Sequence, residues 1–191
     1  MAPKPAATAV VSLLLTASVT SVPQNASVAQ QATGAHEIPI SLQLEHQQAI
    51  AELSALARRA MARRRDRVAE AAGKTLELVK AHIQREQEYI LPPLTLLPAI
   101  ANGRVTPDMK WAVTMADRVK ADHELIYQEQ ARITQALSLL LLAAEEEHDA
   151  EAAGLARSLV VDSLSDLELT EPMVVTIGEY VRTKLAAEHQ P

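Results

Sequence analysis

His82 and Glu86 stand four residues apart, and so do Asp162 and Asp166. In a helix, that spacing puts both members of a pair on one face, a turn apart. Each pair is followed at matching intervals by another carboxylate and a proline: Glu88 and Pro92 in the first case, Glu168 and Pro172 in the second. Imidazole with carboxylate suits iron, while oxygen-only sets favour harder ions such as manganese, calcium or magnesium. Helical proteins build metal sites from such pairs on facing helices. A blander reading stands beside this one. A histidine on an apolar helix face is more often a hydrogen-bonded core residue than a ligand. Imidazolium groups from His46 and His82 would also neutralise inward-facing aspartates without any metal. Periodicity leaves the aspartate face open. Asp162 and Asp166 share a sector with Leu155, Leu159, Leu169 and Met173, while Val160, Leu164 and Leu167 form a competing apolar sector.

Other chemistry is sparse. The chain has no cysteine, which removes disulfides, thiolate metal sites and cysteine nucleophiles together. It carries no phosphate-binding glycine loop and no dinucleotide fingerprint. Glu145 and His148 have Glu-x-x-His spacing but fall in an expected turn. The net charge of -6 excludes nucleic acid as a partner, because nothing offsets repulsion from phosphates. No catalytic constellation emerges, so binding is favoured over catalysis.

The elements that must position these residues are helices. The composition is 48% apolar with one Trp, three Tyr and no Phe, so the core must be Leu, Ala, Val, Ile and Met. Such a mixture favours helix over a sandwich of strands. A first helix is expected over residues 41–62, with Leu42, Ile50, Leu53, Leu56 and Ala60 on one side. Arg63, Arg64, Arg65 and Arg67 then read as a solvated turn rather than a lipid-binding patch. Val68, Ala72, Leu76, Val79 and Ile83 support a second helix over 66–91, which Pro92 and Pro93 must stop. Thr106-Pro107 opens a pattern that runs to residue 147. This pattern is expected to divide at a capping Asp122, leaving a short accessory helix that carries Trp111 and Met115. A last pattern covers 150–185, interrupted or bent at Pro172. The sum is an all-α, up-down-up-down four-helix bundle over 41–187. Ahead of it, Lys4, the apolar run 6–19 and Ser27-Val28-Ala29 read as a secretory signal peptide cleaved after Ala29. Residues 30–40 read as a flexible leader and 188–191 as a flexible end. The product is expected to be periplasmic or secreted, with no stable membrane span.

The chain resembles the bacterial hemerythrin-like, or HHE cation-binding, proteins from about residue 39 to 185. The segments that carry the resemblance are Leu44-Glu45-His46, residues 88–98 (EYILPPLTLLP), Thr106-Pro107-Asp108-Met109 and Ile177-Gly178-Glu179-Tyr180. The resemblance implies a non-haem di-iron site in the bundle core. Each half would give one histidine from one helix and a His-x-x-x-Glu pair from the next. The first half falls on His46, His82 and Glu86. In the second, the pair falls on Asp162 and Asp166, and Gln130 takes the place of the histidine. His123 would lie near the start of the third bundle helix, outside the site. The altered set leaves three outcomes open: mononuclear or weakly binuclear iron, manganese, or no metal in a bundle that serves as a structural or interaction module. The implied partners are a metal ion with dioxygen or another small ligand.

Overall fold

The computed structural model describes residues 36–187, and for residues 162–168 the backbone alone. The expected signal peptide, most of the leader, residues 188–191 and the side chains of Asp162 and Asp166 lie outside what is described. Among the described residues the secondary structure is helical throughout, with no strand. Helix α1 spans Ile40–Ala62, α2 Asp66–Arg85, α3 Leu97–Ala101, α4 Lys110–Glu146 and α5 Ala150–Ala187. None of the described helices is long and apolar enough to cross a membrane.

Two tight hairpins organise the chain. Arg64 (φ 56°) and His148 (φ 53°) both take the left-handed conformation. Each is followed by an amide that reaches back across the turn: Arg65 N–H to Ala60 O at 2.9 Å, Asp149 N–H to Ala144 O at 2.7 Å. This is the six-to-one closure of a helix C-terminus. Neither position is glycine, so each turn carries some backbone strain. The two turns are bound to each other. Arg65 lies 2.7 Å from the buried carboxylate of Asp149, whose other oxygen caps the Ala152 amide at 3.1 Å. Arg67 pairs with Glu146.

Helix α1 packs on α2, α2 on α4, and α4 on α5, while α1 and α5 touch little. Near the turns, Leu53, Leu56, Ala60, Val68, Ala72, Leu140 and Ala144 form one apolar cluster. Farther away, Tyr89, Ile90, Val119, Ile126, Val174 and Val181 form another. The expected division at Asp122 is absent: α4 runs unbroken from Lys110 to Glu146. Buried Ala112, Ala116, Val119, Ile126, Ile133, Leu137 and Leu140 carry its apolar stripe straight through that point. The Asp122 side chain accepts a hydrogen bond from the Tyr89 hydroxyl at 2.9 Å instead of capping a helix. The short helical pieces between α2 and α4 lie earlier, in a 3-10 turn at Pro92–Leu96 and in α3.

At Gly178, α5 packs tightly against α4. A Cβ there would collide with the Cβ of Ala116 and sit 3.3 Å from the Ala112 carbonyl. Gly178→Ala is expected to lower stability by roughly 2 kcal/mol in urea titrations, because packed cores resist added volume. Gly154, in the same helix, has nothing within 4 Å of such an atom, so Gly154→Ala should raise stability by about 0.5–1 kcal/mol. Equal effects at both positions would mean that helix propensity, not contact with α4, governs Gly178.

Candidate metal centre

Pro92 has no N–H for the helical ladder, and its ring would press on the carbonyl four residues earlier. Helix α2 responds by widening. Residues Glu86–Ile90 form a π turn, closed by the Leu91 amide on the Glu86 carbonyl at 2.8 Å. Such turns recur at functional sites. Here the turn starts at Glu86 and carries its side chain into the protein, where the residue is 4% exposed.

Two helices grip that carboxylate. His46 Nε2 from α1 lies 3.1 Å from Oε2, and His82 Nε2 from α2 lies 3.3 Å from Oε1. Burial alone pushes the Glu86 carboxyl up, but hydrogen bonds and charge from the two imidazoles outweigh it and hold it down to about 2. The other nitrogen of His82 lies 3.9 Å from Glu129 in α4, and Arg85 holds Glu129 through two hydrogen bonds of 2.7 and 2.9 Å. At 3.9 Å the Glu129 carboxylate acts on that ring by charge and not through a hydrogen bond. The second nitrogen of His46, Nδ1, is buried and has no hydrogen-bond partner among the described residues. Behind this group, Arg118 lies over the Tyr89 ring at 3.9 Å and pairs with Glu88 at 2.6 Å.

His46 and His82 thus both meet Glu86. Gln130 is buried in α4 and lies beside His82 and Glu86. His123 sits well inside α4 rather than near its start. Its ring is largely exposed, and its Nδ1 lies 3.1 Å from Glu171 Oε2 in α5. Sequence reasoning missed Glu129 and Glu171. The signal for Glu129 was its place beside Gln130. Glu171 had only its neighbour Pro172, which breaks the backbone ladder next to it.

Two cavities meet at Glu86. The larger, about 450 Å³, is lined by apolar side chains such as Leu42, Ile83, Ile133 and Leu159 and by polar ones that include Glu45, Glu52, His46, His82, Glu86 and Gln130. The smaller, about 10 Å³, lies between His82, Glu86, Gln130, Thr170 and Glu171.

Comparison with protein-family models, curated proteins and solved structures found no match. The chemistry of the site has to be argued from its own atoms. Two imidazoles and a buried carboxylate are the right donors for one ferrous or manganous ion. Yet each histidine takes a different oxygen of Glu86, and among the described residues no group of three His, Asp or Glu side chains is assembled around one point for a metal. Binding would require each imidazole to exchange its carboxylate contact for the ion. The unpartnered Nδ1 of His46 lets that ring turn without breaking a second bond.

Proposed function

We propose that this chain is an exported hemerythrin-like protein, a four-helix bundle that holds a divalent cation, iron or manganese, at Glu86 with His46 and His82. The observation that carries the reading is a buried carboxylate, Glu86, met within 3.3 Å by imidazole nitrogens from two helices. A lone structural carboxylate would stay protonated or reach water. The two hairpins, α1–α2 and α4–α5, support the bundle reading, and the π turn supports a functional Glu86. The larger cavity would give dioxygen or another small ligand a route to the ion.

A second reading is favoured by the separate oxygens that the two histidines take. In it, the His46–Glu86–His82 set is a metal-free polar clasp, and the bundle serves as a structural or interaction module. Metal analysis of protein purified without chelator separates the two. The cation reading expects close to one equivalent of a transition metal, and a higher melting temperature on adding ferrous or manganous ion. His82→Ala should abolish that uptake. Less than about a tenth of an equivalent, with unchanged melting, would reject the cation reading and leave the clasp.

A further inference from the structure

The larger cavity has room for far more than an ion or a diatomic gas. A space of about 150 Å³ is enough for benzene, and this one measures about 450 Å³, within the size range of sites for small organic molecules. All four long helices line it. Leu42 comes from α1, Val79 and Ile83 from α2, Ile133 and Leu137 from α4, and Leu159 from α5. Helices α1 and α5 otherwise touch little, so a molecule seated here would supply the contact that they lack. Exposed Glu45, Gln48 and Ser158 mark the mouth, while buried Ile83 and Leu137 mark the interior.

The charged lining favours one sign of ligand. Glu45 and Glu52 come from α1 and Glu86 from α2, and no lysine or arginine is among the described lining residues. Glu86 is already met by two imidazoles, which leaves the pair on α1 to set the field at the mouth. His46 stands between that pair in the sequence. Its Nε2 faces the Glu86 carboxylate and so carries the ring proton, which makes Nδ1 of the neutral ring an acceptor. That nitrogen is buried with no donor among the described residues. An anion would meet repulsion here, and a bare hydrocarbon would leave Nδ1 unsatisfied. A protonated amine answers both, with its charge toward the glutamates and an N–H for His46.

We infer that the cavity binds a small organic ammonium ion, its apolar body against Leu42, Ile83, Ile133 and Leu159 and its charged head beside Glu45 and Glu52. The inference goes beyond the cation reading and does not need a metal.

Calorimetric titration of the full chain with octylammonium, octan-1-ol and octanoate tests this, with chelator present. The three share a tail and differ in the charge of the head. Octylammonium should bind with one equivalent and raise the melting temperature. It should bind about 10-fold tighter than octanol, the effect of two partly screened carboxylates, with octanoate weakest. Glu45→Gln combined with Glu52→Gln should erase the preference for octylammonium and leave octanol binding in place. Ala49→Trp, which fills the cavity from α1, should abolish binding of all three with circular dichroism unchanged. Equal affinity for the three heads, tighter binding of octanoate, or no binding of octylammonium at millimolar concentration would overturn the ammonium assignment. Wild-type affinity for octylammonium in Ala49→Trp would place it elsewhere and overturn the cavity. Should Ala49→Trp fail to fold, the double glutamine variant decides alone, and an undiminished preference for octylammonium rejects the site. Titration with manganous ion is a separate measurement, so the cation reading stands or falls independently of these outcomes.

Discussion

Glu86→Gln is expected to cost about 2 kcal/mol of stability in the metal-free protein and to weaken manganous ion binding at least about 100-fold. Both effects come from the same two contacts. The carboxylate accepts from His46 and from His82 on separate oxygens. An amide offers one acceptor and one donor in the same volume, so one imidazole must face an N–H where it had an acceptor. A buried polar group left unsatisfied costs about 1–3 kcal/mol. The loss of charge removes the electrostatic part as well. Urea titration with chelator present isolates the stability effect, and titration with the ion isolates the binding effect. Loss of stability with no ion bound by wild type would support the metal-free clasp. Full stability and full binding in the variant would show that Glu86 does neither job.

The helices were legible because their signals are local. The spacing of Leu53, Leu56 and Ala60 predicted the buried face of α1, and all three are buried. The arginine run predicted the turn at 63–65, and Pro92 the end of the regular ladder in α2. The false break at Asp122 came from weighing a capping residue type above an apolar stripe that continues beyond it. Burial of Ala116, Val119 and Ile126 binds α4 together across that point, and tertiary packing outweighs a weak local preference.

The site was half legible. His82 and Glu86 share a helix face, so four-residue spacing was enough. Glu171 was hidden by the prolines. Aligning Pro92 with Pro172 sets Glu86 against Asp166, but the two prolines do different things: Pro92 begins a 3-10 turn, whereas Pro172 lies inside α5. The π turn also adds a residue to α2 that spacing along an ideal helix does not count. Placed by distance beyond their turns, Glu86 and Glu171 stand at nearly the same level. Contacts between the two helices of one hairpin, such as His123 with Glu171, depend on that register and cannot be read from either helix alone.

Acid should unfold the metal-free protein more steeply than its surface charges explain. The Glu86 carboxyl is held at about 2 in the folded protein and returns to about 4.3 when the chain unfolds. A group depressed by folding stabilises above its unfolded value and loses that contribution as pH falls through the folded one. The window therefore runs from about pH 4.5 down to 2, and the contribution lost is on the order of 3 kcal/mol. The surrounding groups are His46 from α1, His82 and Arg85 from α2, Glu129 and Gln130 from α4, and Glu171 from α5. Exposed pairs such as Lys74 with Glu70 also hold a carboxyl down, but solvent screening keeps their share small. The decisive comparison is urea unfolding of wild type and Glu86→Gln from pH 6 to pH 2.5, both with chelator. The wild-type advantage should shrink toward zero across that interval, since the glutamine has no proton to gain. A constant gap between the two would mean that the histidines do not hold the carboxylate by charge, and that the clasp owes its strength to packing alone.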